Sequence, residues 1–576
     1  MEQDEKYLEI PIQKDSETLS FCDANIESFH AWFKKNHFGN WIQTSNGLYH
    51  AMHEINRLPL KLKIRFELCE AIRHYTRRAL YALSKLYFSN TTFLSNEAKK
   101  TADLYLALSQ QLSLGYKILI KQKEKKLLLS WEKSTEHIRS TSLQRVIAEL
   151  SENLMLCYKL SLAIPKGLWF EINNLYWYAI TSRLLQEKIS DPFFAQDTHT
   201  TIELTFAKVA IIASACPYQL SSQQLNTLSI IAEFLSPRLI LTEHFSSEYF
   251  YFIPLLKDAG PTFFQNAAKV PKGFNCRFFD LKNLINDLKI MRTVLPKIQY
   301  VHNQEIREET IDLKTINHLL LCWNVHYKNR RSDRKPCDIA LEVAFGLNTI
   351  NHLLLGNRTF EEYVEGKSRK RTSTRPTNSG RTGTKSQFMA IDTHTSNTST
   401  VFNKLNIVEE APQEVSVKFF SVQAINKNEK GIGIILKEQH IQIKPGELIY
   451  FKVPQQEKFY LGVLRWIKIK EDALHGGIET ISSNTLPIGI GVGRVNPRMI
   501  SFDRALMSLP VKENHPSIIY ALTPKYKEGL TCTISNGGQF KMIKLFKEIF
   551  IGLHFSKFEI KELAEETTPD KTWSIL

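Results

Sequence analysis

The sequence has no CxxC pair, no HExxH motif and no Cys/His spacing suited to a metal, so no metal centre can be argued from its 17 histidines and 8 cysteines. Scattered cysteines of this kind are expected as buried thiols in a reducing compartment. No Ser/His/Asp or Cys/His set stands out, and no motif of a nucleotide cyclase or phosphodiesterase appears, so the expectation is a chain that is not an enzyme. Long apolar runs are also missing. The best stretch, Phe206 to Leu220, is interrupted by Lys208 and falls short of a membrane span, while the acidic opening MEQDEKYLEI lacks the basic-then-apolar order of a signal peptide. A cytoplasmic protein without a membrane span is therefore expected. Repeats of fixed period are absent as well, which excludes a solenoid.

What is present is a chain of 576 residues, 43% hydrophobic and 11% aromatic, long enough for roughly three or four folding units. Its formal charge of +15 favours anionic partners, but much of the excess is local. From about 46 to 356 the apolar period is helical: Leu68, Ile72, Tyr75, Ala79, Leu83 and Leu86 form one stripe, and Leu104, Leu108, Leu112, Gly115 and Leu119 another. Between Gly366 and Ile391 the composition changes to seven Lys or Arg, no acid and abundant Ser and Thr. Such a segment cannot offset its ordering entropy by burial, which predicts a disordered basic insertion over about 358–412. After Pro412 the period is two, with Val415, Val417 and Phe419 alternating with polar neighbours and turns at Pro445-Gly446 and Pro454. Residues 517 to 576 mix strand-like runs with a segment, 541 to 556, that reads equally as helix or strand.

Inside the β region, Ala424-Ile-Asn-Lys-Asn-Glu-Lys-Gly431-Ile-Gly-Ile reads as strand, polar turn, glycine, strand. It resembles the second motif of the PilZ family, with Asn426, Asn428 and Gly431 in its three places; Asn428 departs from the usual Ser or Ala. The strands that follow, from Pro445-Gly446 through Leu461-Gly-Val-Leu-Arg-Trp466 to Gly477-Ile-Glu479, are similar to that family too. The family's first motif is an arginine pair four apart, just ahead of the first strand. No arginine lies between Arg381 and Arg465, so the pair is sought upstream. Arg330, Arg331 and Arg334 precede an apolar stretch, Cys337 to Phe345, that can serve as the first strand. The basic segment then becomes a loop inside the barrel.

With the helical period upstream and the strand-like runs downstream, this resemblance gives an α+β multidomain protein: a helical region over 1–325, a PilZ-like antiparallel β-barrel over 326–490 and a small β-rich extension over 491–576. It further implies a receptor for cyclic di-GMP, as ligand and not cofactor, that relays the second messenger to a protein partner. Arginine suits such a ligand because its planar fork meets phosphate oxygens or guanine O6 and N7 and stacks on purines. The implied ligand set is Arg330, Arg331, Arg334, Asn426, Asn428 and Gly431.

Plainer readings stand beside this one. Arg-x-x-x-Arg occurs at 73/77, 330/334, 371/375 and 494/498. Arg73/Arg77 reads as the solvated face of a helix, Arg494/Arg498 follows the barrel, and Arg371/Arg375 in the basic segment competes with Arg330/Arg334. Ser379 to Ser386 lacks the adjacent Gly-Lys of a phosphate loop, and Gly489, Gly491 and Gly493 read as a glycine-rich strand or turn. Trp169, Asn173 and Trp177 share a helix face suited to core packing. The alternative functions are a helical interaction scaffold with a structural, non-binding barrel, or a nucleic-acid-binding regulator using the basic loop. Without interleaved aromatics, nucleic acid is not the expected partner.

Overall fold

The first part of the chain is built from α1 (Ile26–Lys35), α2 (Trp41–Ile55), α3 (Leu62–Tyr87), α4 (Asn96–Lys121), α5 (Leu129–Lys159), α6 (Leu168–Thr181), a short pairing of β1 (Ile189–Ser190) with β2 (His199–Thr200), α7 (Ile202–Ser214) and α8 (Ser222–Leu235). This computed structural model describes residues 10–13, 18–36, 40–87, 94–122, 129–193, 199–264, 275–295, 297–302, 305–324, 334–356, 358–367, 419–437, 443–453, 458–471, 473–493, 500–510, 516–551 and 555–563. The apolar stripes do what their period predicts: Leu68, Ile72, Ala79 and Leu83 of α3 and Leu108, Leu112 and Leu119 of α4 lie in one core. Ser95 caps α4, and Ser221 with Gln224 forms a capping box on α8, satisfying amide donors that a helix start leaves open.

Arg73 and Arg77 depart from the solvated face expected of them. Arg73 is 2% exposed, its Nε donating to Glu149 Oε1 at 3.0 Å and its two terminal nitrogens to the Asp191 carboxylate at 2.9 and 3.2 Å. Arg77 shares Glu149 Oε1 at 3.0 Å, and Phe193 lies under both guanidinium groups. Arg145 holds Glu70 through two bonds of 3.0 Å and reaches Asp191 at 3.1 Å. Burying a charge is tolerable only with such partners. The partners lie on other elements, up to 118 residues away, so a helical period cannot reveal them.

Helix does not continue to residue 356. A three-stranded sheet of β3 (Tyr251–Pro254), β4 (Thr262–Phe263) and β5 (Cys276–Phe279) follows, in the order β4-β3-β5, then α9 (Lys282–Val294), the hairpin of β6 (Lys297–His302) and β7 (Glu305–Thr310), and α10 (Leu313–Cys322). Every residue of β3 and β5 is buried, so neither strand shows the polar alternation that marks a half-exposed one. The loop from β3 to β4 docks on α6. Asn173 Nδ2 donates to the carbonyls of Lys257 and Ala259 at 3.0 and 2.9 Å, the Asp258 carboxylate accepts from Gly167 N and Phe170 N, and buried Trp169 lies so close over Gly260 that a β-carbon there would be 2.7 Å from its ring. Trp169 and Asn173 are thus packing residues.

The first closed barrel comprises β8 (Lys335–Phe345), β9 (Phe420–Asn428), β10 (Gly431–Leu436), β11 (Leu448–Lys452), β12 (Phe459–Lys470) and β13 (Ala473–Ser482), all antiparallel, in the order β10-β13-β12-β11-β8-β9. Its first two strands in sequence, β8 and β9, are neighbours although the basic segment separates them. Leu341, Val343, Val422, Ala424, Ile434, Leu464, Leu474 and Ile478 fill it. Each fully buried aliphatic side chain contributes about 1.5–3 kcal/mol. Part of the supposed disordered insertion is ordered: after α11 (Leu347–Leu355), residues 359–367 form α12 (Phe360–Val364), closed by a capping box between Thr359 and Glu362.

The C-terminal β region is a second complete barrel of β14 (Thr485–Val492), β15 (Asp503–Ser508), β16 (Ile518–Leu522), β17 (Thr531–Asn536), β18 (Gln539–Ile551) and β19 (Phe555–Glu562), in the order β14-β15-β16-β19-β18-β17. Because β14 pairs with β15 and β17, the second barrel takes its first strand from Thr485, ahead of the division expected at 490. Gly489 and Gly491 lie in this strand, where Val364 and Ile500 leave no room for a β-carbon.

The units are joined by specific contacts. Ser161 to Ala163 run beside the end of β12, with Ile469 N donating to Ser161 O at 2.6 Å and Ala163 N to Ile469 O at 2.9 Å. Between the barrels, Leu347, Ile350, Leu448, Leu461, Val463, Leu506, Tyr520 and Phe555 share one core. Asn351 Nδ2 donates to Ala505 O at 2.7 Å, and Tyr363 Oη to Pro487 O at 2.8 Å.

Candidate functional site

The hairpin of β9 and β10 turns at Glu429 and Lys430, with Asn428 opposite Gly431 and Asn426 opposite Gly433. Asn428 Oδ1 accepts from Lys430 N at 3.1 Å, a local side-chain turn of the kind Asn makes readily. This gives the departure from Ser or Ala a structural use. A register shift after Gly433 rotates the strand end, so that Asn426, unlike Ala424, does not face the core.

Gly431 and Gly433 of β10 lie opposite Glu479 and Gly477 of β13. Since Ile434, Leu474 and Ile478 point into the core, these four positions alternate to the outer face. On that face the Asn426 carboxamide covers Gly433 and the Trp466 indole covers Gly477. At the head of β8, Arg334 reaches the same place: its Nη1 donates to Asn426 Oδ1 at 3.1 Å across 92 residues of sequence, and a β-carbon at Gly431 would lie 3.6 Å from its Nη2. The chain thus brings Arg334, Asn426, Asn428 and Gly431 to one end of β8, β9 and β10. Arg330 and Arg331, like the competitors Arg371/Arg375 and Arg494/Arg498, lie outside the described residues.

Two features of this face were not singled out from sequence. Trp466 gives it an aromatic wall; Gly476-Gly477 opposite an aromatic was the available signal. Glu479, directly across from Gly431, is paired with Arg465, whose guanidinium lies 5.3 Å from the Phe550 ring of the second barrel. Nearby, burial lowers the Lys557 ammonium, Glu479 opposing the shift and Arg465 adding to it. His475, further along the same face of β13, is also lowered, by burial and by Lys470 and Lys468. A cationic fork, a neutral carboxamide, an aromatic wall and a floor of main chain suit a flat anionic ligand better than any covalent chemistry. Among the described residues no cluster of His, Cys, Asp or Glu is arranged to hold a metal.

A closed six-stranded antiparallel barrel with an arginine ahead of its first strand and Asn-x-Asn-x-x-Gly at its hairpin is a barrel of the PilZ class. Two family models match the chain: "Cyclic-di-GMP receptor FimW, N-terminal domain" over residues 27–244 and "Cyclic-di-GMP receptor FimW, middle PilZ domain" over residues 250–487. The chain belongs to this family of PilZ-domain cyclic di-GMP receptors. A relative from Pseudomonas aeruginosa, named cyclic-di-GMP receptor FimW, is 21% identical over 582 aligned residues covering 96% of this chain and 93% of its own. No solved structure matches the chain. The family's middle domain begins at residue 250, so it takes in the small sheet and the hairpin ahead of the barrel.

Proposed function

We propose that this protein binds cyclic di-GMP on the outer face of its first barrel and passes the occupancy of that face to a protein partner. Reception of cyclic di-GMP follows from the family, and the placing of the ligand rests on one observation: Arg334 and Asn426 meet, at 3.1 Å, over Gly431 and Gly433. Arg334, with Arg330 and Arg331 just ahead of it in sequence, would grip phosphate and guanine. The Asn426 amide would bond a guanine edge, Asn428 would shape the turn, and Trp466 offers a face for a base. Each such charge-assisted bond is worth about 1.5–3 kcal/mol. The reading is a noncovalent receptor in the cytoplasm, not an enzyme.

The relay has a physical route. Strand β12 carries Trp466 on the ligand face, Arg465 against Phe550 of the second barrel, and Ile469 hydrogen-bonded to Ser161 and Ala163 of the helical domain. A ligand that favours one setting of this strand biases both junctions, to the extent that it binds the two settings differently. Hydrogen exchange on the full-length protein tests this. Saturating cyclic di-GMP is expected to protect residues 420–436 and to change exchange in 459–470 and at 161–163. Uniform exchange with and without the dinucleotide contradicts the relay.

A further inference from the structure

Gly433 and Gly477 have ordinary strand backbones; neither is among the described glycines with positive φ, so conformation does not require glycine at either place. Space does. A β-carbon at Gly433 would stand 2.7, 2.9 and 3.0 Å from Oδ1, Nδ2 and Cγ of Asn426, and one at Gly477 would stand 2.1, 2.7 and 2.9 Å from Nε1, Cε2 and Cδ1 of Trp466. Those three nearest atoms belong in each case to a single side chain. The two glycines are direct partners across β10 and β13, so the carboxamide and the indole are recessed side by side on one strip of main chain. Glycine weakens a strand interior, and here the weakness coincides with close approach by two side chains of the candidate site.

We propose that Gly433 and Gly477 are positioning residues for dinucleotide binding: they hold Asn426 down on the sheet within reach of Arg334, and Trp466 flat beside it. The inference rests on the reading of this face as the ligand site. A methyl at Gly433 forces the short Asn426 side chain off the strand and breaks the 3.1 Å bond from Arg334 Nη1. Displacing Asn426 also removes the guanine-edge bond proposed for its amide, and losing one such bond corresponds to roughly a tenfold weaker Kd.

The test is a pair of double-mutant cycles read by calorimetry with cyclic di-GMP on the full chain, with a thermal melt of each variant. Gly433→Ala is expected to weaken binding roughly tenfold in the wild-type background and to add nothing in Asn426→Ala, where the obstructed side chain is gone. Gly477→Ala is expected to behave likewise against Trp466→Ala. If Gly433→Ala unfolds the barrel, Asn426→Ala/Gly433→Ala should restore folding, because the three closest atoms all belong to Asn426; failure to restore it overturns the inference. Wild-type affinity in Gly433→Ala or Gly477→Ala, or an equal further loss in the paired backgrounds, also overturns it. Wild-type affinity in Asn426→Ala instead overturns the underlying site reading.

Discussion

Two arginine clusters in this protein look alike in sequence and serve opposite ends. In the helical domain Arg73 is held by the buried carboxylates of Glu149 and Asp191, whereas on the barrel Arg334 donates to the neutral amide of Asn426 at the edge of a glycine-floored face. Full ionic pairing inside a core makes an arginine structural. The Asn426 amide, on the outer face, orients the Arg334 guanidinium without itself supplying a counter-charge. Spacing of four residues, common to both, says nothing about which applies.

The widest separation between the two clusters should appear on truncation. Arg73→Ala leaves Glu149 and Asp191 buried without that partner and is expected to cost about 3–5 kcal/mol, seen as a large drop in melting temperature. Arg334→Ala is expected to weaken cyclic di-GMP binding by roughly ten- to a hundredfold, on the scale of one or two charge-assisted bonds, while the melt stays close to wild type. A strongly destabilised Arg334→Ala would break the comparison.

Titration sharpens it. Burial pushes Glu70 and Asp191 up, but Arg145 and Arg73 prevail and hold both carboxyls below their ordinary values. The stability they contribute is present above the unfolded carboxyl range and is lost as pH falls through the folded values. Glu447 behaves in the opposite sense: in the turn before β11, where it accepts from Lys444 N at 3.1 Å, burial raises its carboxyl from 4.5 to about 7. Between those values the native state holds the extra proton, so the barrel loses stability as pH rises. Melts from pH 5 to 8 should show this fall, and Glu447→Gln should remove about 1–2 kcal/mol of it, allowing for partial exposure. Tyr363→Phe has the smallest expected effect: loss of the bonds to Pro487 O and Asn536 Oδ1 should lower the barrel melt by about 1 kcal/mol, without altering dinucleotide affinity.

Much of the first barrel was legible because its signals are local: a strand of alternating residues, a polar turn, a glycine. The strand expected from Cys337 runs from Lys335, and Asn426 lies beside Arg334, while Arg330, expected there too, is outside the described residues. The second barrel was not legible as a barrel. Residues 542, 543, 545, 546, 549 and 550 are apolar at spacings that suit a helix, because β18 contains two irregularities, between Leu545 and Lys547 and between Glu548 and Phe550, that break its period of two. Closure also depends on β14 pairing with β17, which no local pattern announces. The start of the insertion lies later than expected for a related reason: Thr359 to Lys367 is short, and gains its order from burial of Phe360, Tyr363 and Val364 beside Phe502 and Phe540 and from bonds to Pro487, Ser535 and Asn536 of the second barrel. Arg73 and Arg77 were misread because their partners come from α5 and from the segment after β1.

Calorimetric titration of cyclic di-GMP into the full-length protein and into Arg334→Ala tests the central claim most directly. Saturable binding by the wild type that weakens at least tenfold in Arg334→Ala, at an unchanged melting temperature, is the result predicted. Superimposable binding curves for the two proteins would contradict it.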